Sequence, residues 1–568
     1  MGIVSQSYHG LDKRKLRLKK KEKVVVTNYI FPKKIIDKSD TVKTAESLMQ
    51  NRTLQIGFAE SVAAVTEGNA YLILDFGKEL SGGVRILTRD TIGNKKIRLR
   101  FGESVSECCA DLGEDNATND HALRDFYVEL TDWSDMMFGN TGFRFVRIDT
   151  ALESVIRFQA IVAATNIDSR EQIGRFECDD PLLNEIWDTA AYTLRLCIQN
   201  GYLWDGVKRD RLVWVGDLYP MIRAAYCLYG DLPEIRNSLS FAQQEGIPPK
   251  WMNNIPMYSF WWLINLAENC FHTGDKEFAR DKLPFIRAIL NETEKYVNEN
   301  GETHFDFNFI DWAMHHQDGE SVEKKQDELV GVNALLRIAL TKTELLLKTL
   351  GEDFSLCEQI LARLNRKALS VHSYKQAAAL SVLSGAKSEG MRTVLKDGGA
   401  KGVSTFMSYP IFTALTAYAE YDFNLRNIKE YYGKMLELGA TTFWEDFDIA
   451  AAENVCGIDK LPATQEKDFH RTFGKFCYKG FRHSLCHGWS SGVIPYLAEM
   501  VLGIKEIGND GTVFAIDAHL SHLKHVKGAY PTTYGNIEAE YLLQENGEYK
   551  IIVNAPSGIK INGISVKK

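Results

Sequence analysis

The chain has 568 residues, of which 45% are hydrophobic and 25% charged, and its formal net charge is −8. That balance is ordinary for a globular protein, and the length suggests about three domains. An acidic chain lacks the basic face that backbone phosphates require, which excludes nucleic acid as a default partner. No run is long and apolar enough to span a bilayer, so no membrane partner is expected.

The first residues, "MGIVSQSYHGLDKRK", hold no apolar core of a signal peptide. The expected compartment is therefore cytoplasmic, or periplasmic had a leader been removed. "MGIVSQ" fits a myristoylation pattern only superficially, and the basic run "KLRLKKKEK" (Lys15 to Lys23) reads as a solvated terminus. Ten cysteines without framework spacing read as buried thiols in a reducing compartment.

Residues 1–60 form a lead segment. From 61 to 172 the texture is β. "KIRLRF" (Lys96 to Phe101) alternates, with Ile97, Leu99 and Phe101 on one face, which is the period of a half-buried strand. "AYLILDFG", "GGVRILTRD" and "GFRFVRID" add short runs bounded by turn residues, so a β-sandwich is expected.

The texture changes at Asp180, where "DPLLNEIWDTAAYTLRLCIQNG" pairs an Asp N-cap with Pro181 at the first helical position. Helical patterns then run on through 173–504, and "ELVGVNALLRIALTKTELLLKTLG", ending at Gly351, is the clearest. A toroid of paired helices fits that length, and no fixed repeat period favours a superhelix. Residues 505–568 return to β, with "NIEAEYLLQENGEYKIIVNAP" reading as a hairpin. So short a segment is small for a sandwich with its own core. The strands near "KVVVTNYI" are expected to complete it by packing on the C-terminal sheet.

"DGVKRDRLVWVGD" (Asp205 to Asp217) sets Asp205, Lys208, Arg209, Asp210, Arg211 and Asp217 among bulky apolar residues. It is either a salt-bridged turn or the wall of a pocket. Paired carboxyls are what glycosidic hydrolysis needs, one to protonate the leaving oxygen and one to activate water or attack carbon. A second candidate is "GATTFWEDFD" (Gly439 to Asp448), where Glu445 lies between Trp444 and Asp446. Its apolar neighbour and nearby like charge could raise a carboxyl pKa, and a solvated helix start is the alternative. "CYKGFRHSLCHGWSSG" offers Cys477, His483, Cys486 and His487, but their spacing matches no common zinc pattern. No metal and no cofactor are expected, and no phosphate loop or nucleophile elbow is visible. "DW" at Asp311 and Trp312, after "HFDFNFI", falls in a break between helical patterns, which suits a cleft wall.

These segments, in this order, resemble the α-L-rhamnosidases of glycoside hydrolase family 78. "DGVKRDRLVWVGD" is similar to the family's Asp-Cys-Pro-x-Arg-(Asp)-Glu-Arg-x-x-Trp-x-Gly-Asp signature. "GATTFWEDFD" is similar to Gly-Ala-Thr-Thr-x-Trp-Glu-Arg-Trp, and "SLCHGWSSG" to Ser-Phe-Asn-His-Tyr-Ala-x-Gly. "LDFGKELSGGVRI" and "HLKHVKGAYPTTYGNIEAEY" are weaker matches that flank them. The resemblance implies a multidomain α and β fold, with an (α/α)6-barrel catalytic domain between an N-terminal β-sandwich and a small C-terminal one. It implies hydrolysis of terminal α-L-rhamnose with inversion, and so a carbohydrate partner. By position, Asp210 matches the general acid and Glu445 the general base. Asp205, Arg209, Trp214 and Asp217 match sugar-binding residues, and His487 a subsite histidine. Trp312 matches an apolar wall, where Tyr258 replaces a second tryptophan.

Three departures stand out. Asp210 is one methylene shorter than the family's Glu, "GVK" replaces Cys-Pro-x, and a long run separates Glu445 from His487. That run is expected to be a large loop that reshapes or covers the mouth. The alternatives these departures motivate are the same mechanism on another deoxy- or L-sugar, and a non-catalytic carbohydrate-binding protein on a decayed glycosidase scaffold. Oligomeric state is not readable from the sequence.

Overall fold

The computed structural model describes residues 25–57, 63–313, 321–463, 465–474 and 479–568. The runs "MGIVSQ" and "KLRLKKKEK", and Cys477, lie outside the described residues. No helix among those described is long and apolar enough to cross a membrane.

The N-terminal region is built on one nine-stranded sheet. Its strands are β1 (Val25–Ile30), β2 (Lys34–Lys38), β3 (Val42–Lys43), β4 (Ala64–Glu67), β5 (Tyr71–Gly93), β6 (Lys96–Gly102), β7 (Asp125–Glu129), β8 (Asp135–Thr150) and β9 (Ser154–Asp168). The 23-residue β5 pairs with β2, β8 and β9 along different parts of its length. On β6, Ile97, Leu99 and Phe101 are buried as their alternation predicts, and they enter the sandwich core with Leu74, Phe143 and Phe158. A short helix, α1 (Val105–Cys109), follows β6 and is capped by Ser104, whose hydroxyl accepts the Glu107 N–H.

The lead segment corrects one expectation. β1 pairs antiparallel with β9, Val26 opposite Ile167, and β2 pairs with β5. Both therefore belong to the N-terminal sheet rather than the C-terminal one. Alternation marks a strand but does not name its partner, and here the available edges lay on β9 and β5.

The short strand β10 (Arg175–Cys178) precedes the helices. The helices are α2 (Pro181–Cys197), α3 (Leu218–Tyr229), α4 (Pro233–Glu245), α5 (Pro256–Thr273), α6 (Lys276–Asp281), α7 (Leu283–Glu294) and α8 (Val322–Leu350). α9 (Ser355–Leu364), α10 (Lys375–Leu383), α11 (Glu389–Lys396), α12 (Ser408–Thr416) and α13 (Tyr421–Glu437) complete the labelled set. Asp180 caps α2 through the Leu182 N–H with Pro181 at the first position, and α8 stops at Gly351, whose φ of 75° is left-handed. Packing runs from α3 to α5, α8, α10 and α12, then to Val493–Tyr496 and back to α3. α4, α9, α11 and α13 each pack on a member of that circuit.

At the C-terminus, Val513–His519 pairs with Ile504–Glu506 and Lys560–Lys567. A second sheet joins His525–Thr532, Gly535–Leu543 and Tyr549–Asn554, the last two being the expected hairpin. Its fourth strand is β10, paired with His525–Thr532, so residues 175–178 contribute to this sheet and not to the helical region. Phe514, Ile516, Tyr530 and Tyr541 share one apolar core with the helices. The small sandwich is thus completed by β10 and by burial against the helices.

A buried ionic knot joins the N-terminal sheet to the helical region. The Lys208 ammonium contacts Glu103 at 3.0 Å and Glu107 at 3.2 Å, and donates to the carbonyls of Phe481 (2.9 Å) and His483 (2.6 Å). Gly142 abuts the Val207–Lys208 backbone so closely that a Cβ there would stand 2.7 Å from the Lys208 backbone nitrogen. Truncating Lys208 would leave two buried carboxylates without their cation, a loss of about 3–5 kcal/mol. Lys208→Ala should lower the denaturant midpoint strongly, whereas Lys367→Ala, which breaks an exposed pair with Glu302, should leave it in place. Equal shifts in the two variants would contradict the role given to this knot.

Candidate active site

Residues 205–217 form an irregular loop whose shape is set by a few backbone contacts. The Asp205 carboxylate accepts the Leu212 N–H at 2.8 Å, and the Asp205 carbonyl accepts the Gly488 N–H at 2.6 Å. Gly206 and His487 form an isolated antiparallel bridge, tying the loop to the His487 segment. Arg211 turns the chain through a left-handed φ of 62° and donates to the Asn140 carbonyl at 2.9 Å. At Gly216 a Cβ would stand 2.5 Å from the Tyr258 ring, so only glycine lets that ring close on the loop.

Arg209 is the hub. Its guanidinium donates to Asp210 at 3.1 Å through one nitrogen and to Glu445 through the other. Its Nε donates to the Arg482 carbonyl at 2.8 Å. Asp210 also accepts the Trp214 indole N–H at 3.0 Å. Glu445 is anchored at both ends. Its Oε2 accepts the Ser484 N–H at 3.1 Å, its N–H donates to the Ser484 carbonyl at 3.0 Å, and its carbonyl accepts the Trp489 indole N–H at 2.7 Å. The 484–485 backbone is held in turn by Glu103, which accepts the Ser484 hydroxyl at 3.3 Å and the Leu485 N–H at 2.5 Å.

His487 Nε2 faces three carboxylates, Asp205 at 3.7 Å, Asp217 at 3.8 Å and Glu445 at 3.8 Å. Tyr258 donates from its hydroxyl to Asp217 at 3.4 Å. Ring contacts then run from Trp214 to Tyr258 (6.1 Å between centroids), Phe309 (5.8 Å) and Trp312 (4.6 Å). Asp205, Arg209, Asp210, Trp214, Asp217, Tyr258, Trp312, Glu445 and His487 are thus one connected assembly. Asp205, Asp217 and His487 each bring one ligand-type atom within 4.8 Å of the others, so a cation could be held there. His483 and Cys486 are not part of that group: His483 Nε2 accepts the Asp446 N–H at 3.0 Å.

Sequence reasoning missed several neighbours. Phe309 links the aromatic row, and the alternating "HFDFNFI" carries a signal for it. Asp311, which the sequence offers with Trp312 as part of a cleft wall, accepts the Ser404 hydroxyl. His121, from the N-terminal sheet region, reaches Asp210 at 3.2 Å, and no spacing announces it. The long run after Glu445 packs inward at one end. Within its described part, Phe469 packs on Trp444 at 4.9 Å between ring centroids, and His470 contacts Ser104 at 2.8 Å and the His483 carbonyl at 3.0 Å. Phe469, His470 and Phe473 are buried there, whereas residues 460–463 and 465–467 are exposed.

Residues 171–367 match the family model of the bacterial α-L-rhamnosidase six-hairpin glycosidase domain. Solved structures are similar over most of the chain. The family 78 rhamnosidase of Bacillus sp. GL1 aligns with a TM-score of 0.69 at 20% identity, covering 92% of this chain and 56% of that one. The Klebsiella oxytoca rhamnosidase with rhamnose bound aligns at 0.64 and 19% identity, covering 83% and 95%. The Streptomyces avermitilis α-L-rhamnosidase complexed with L-rhamnose aligns at 0.66 and 15% identity, covering 87% and 48%. At these identities the likeness is one of fold, and the chain spans a little over half the length of the Bacillus protein. No curated protein sequence matches the chain.

Burial dominates the electrostatics of the site. It pushes the Asp205 carboxyl well above the usual range, with the Asp210 charge adding to it. Asp217 is raised well above its usual range by burial and then by Asp205. Glu445 is raised by burial, while Arg209 and the Ser484 N–H pull it back. His487 is held well below the usual imidazole range by burial and then by the Arg209 charge. Asp311 is pushed up to about 6 by burial against its Ser404 bond. A carboxyl raised on folding gives its full stability below its unfolded pKa and loses it as pH rises through the folded one. Asp217→Asn removes that loss. Its melting temperature should match the parent near pH 4 and exceed it by several degrees at pH 8. A difference that shrinks as pH rises would contradict the buried-acid account.

Proposed function

We propose that this chain is an inverting glycoside hydrolase that removes terminal α-L-rhamnose from oligosaccharides or glycosides, working on an (α/α)6 barrel. The match of residues 171–367 to the six-hairpin model and the closed circuit of helices support that architecture. Neighbouring folds bound to rhamnose support a carbohydrate substrate. The observation that carries the reading is the convergence of Asp210 and Glu445, from distant parts of the chain, on the single guanidinium of Arg209.

In this mechanism Asp210 protonates the leaving oxygen as the bond from the anomeric carbon breaks. Glu445 takes a proton from a water that bonds to the opposite face of that carbon. Inverting enzymes separate the two carboxyls by about 6.5–9.5 Å to admit the water. Two carboxyls on opposite nitrogens of one guanidinium are held apart rather than in direct contact. Asp205, Asp217 and His487 offer acceptors and a donor to sugar hydroxyls. The aromatic row from Trp214 to Trp312 offers an apolar wall to the C5 methyl group. The shortened acid also motivates a second reading, in which the same machinery acts on another deoxy- or L-sugar.

A panel of aryl glycosides tests both readings. The α-L-rhamnoside should turn over fastest, and NMR should show the β-anomer as first product. Asp210→Asn and Glu445→Gln should each lower kcat by about 10²–10⁴-fold. A different sugar turning over faster would transfer the reading to that sugar. Glycan binding without turnover in the parent would leave only a binding protein.

A further inference from the structure

We propose that His121, from the N-terminal sheet region, shares the acid's proton with Asp210, so that the proton donor of the site is an Asp–His pair. The inference rests on Asp210 being the general acid. His121 Nε2 stands 3.2 Å from Asp210 Oδ1, and both side chains are part-exposed, at 28% and 17%. Glu445, Asp205, Asp217 and His487 are buried. A donor that meets a departing alcohol at the rim needs that openness.

The chain goes to some length to put the imidazole there. His121 has a left-handed φ of 67°, and the Ala122 N–H donates to the Asp120 carbonyl at 2.8 Å, closing a three-residue turn around it. Such a turn is rare and strained, and strain of this kind gathers at functional sites. The turn is braced. Asn119 accepts the Arg124 N–H at 2.9 Å and the Asp125 N–H at 3.0 Å, and donates to the Asp125 carbonyl at 2.8 Å. Asp120 pairs with Arg482 at 3.2 Å, and the carbonyl of Arg482 also accepts from Arg209. His121 and Arg209 are therefore registered against the same residue.

The chemistry calls for such a partner. Arg209 and Trp214 present only N–H donors to Asp210, and donors stabilise a carboxylate rather than the acid. A protonated Asp210 needs an acceptor for its own O–H. Of the groups described around it, the imidazole nitrogen can serve, because neutral histidine carries one acceptor nitrogen. The proton then lies between Oδ1 and Nε2. When the bond from the anomeric carbon to the leaving oxygen breaks, that oxygen takes the proton. The pair is left as a carboxylate and a neutral imidazole, while Glu445 holds the proton from water. An imidazole beside the carboxyl also extends the reach of an acid one methylene short of glutamate.

The test is leaving-group dependence. His121→Ala and His121→Gln are compared with the parent on 2,4-dinitrophenyl, 4-nitrophenyl and alkyl α-L-rhamnosides. The dinitrophenolate needs no proton to depart, so its rate should change little. The alkyl glycoside should lose about 10²-fold in kcat/KM in both variants, and added imidazole should restore part of it in His121→Ala. Gln keeps a hydrogen-bonding group but cannot carry the proton, so a Gln variant with parental activity on the alkyl glycoside would overturn the proposal. Equal losses on all three substrates, or none, would overturn it too. A parent inactive on every rhamnoside would instead remove the proposed function, and this inference with it.

Discussion

One guanidinium organises this site. Arg209 bridges Asp210 and Glu445, residues that the fold draws from opposite sides of a long helical region. A cation between two acids lets both stand in one site without the repulsion that like charges would otherwise impose. Its third contact, from Nε to the Arg482 carbonyl, fixes the plane of the fork. Because a guanidinium is planar and rigid, fixing that plane fixes the two carboxyls relative to each other. A lysine could match the charge but not the geometry.

The support for this fork comes largely from outside the helices. Glu103, at the end of β6, holds the backbone of residues 484–485, and Ser484 holds Glu445. Lys208, next in sequence to Arg209, is sunk between Glu103, Glu107 and two carbonyls of the same segment. The N-terminal sheet thus clamps both halves of the site at once. A buried knot of this kind is poor evidence for net stability, because desolvation offsets attraction. What it supplies is geometry, with neighbouring residues of one loop locked to two parts of the fold. The buried acids around His487 carry a similar cost, borne by a fold with an extensive apolar core.

Much of this was legible in the sequence. Strict alternation in "KIRLRF" gave the buried face of β6, and the Asp180–Pro181 start of α2 and the Gly351 stop of α8 follow from capping chemistry. The motif residues were legible because three segments had to be recognised together, each weak alone. Long-range pairing was not. The strand at Val25–Ile30 has no mark that distinguishes an edge on β9 from one on the C-terminal sheet. β10 was absorbed into the helical stretch because four residues carry too little periodicity to separate from a helix start. His121 and Lys208 were hidden for the same reason. Their partners are fixed by packing between regions, and "NDHALRD" and "GVK" read locally as polar loops.

The most direct measurement is a crystal structure of the Glu445→Gln protein soaked with an α-L-rhamnoside. The account predicts an anomeric carbon lying between residues 210 and 445, with Asp210 within about 2.6–3.2 Å of the glycosidic oxygen, directly or through one water. A well-ordered water should stand on the opposite face, against residue 445. A sugar bound elsewhere, or one whose anomeric carbon has both side chains on the same face, would contradict the claim that Arg209 holds a general acid and a general base across a single reacting centre.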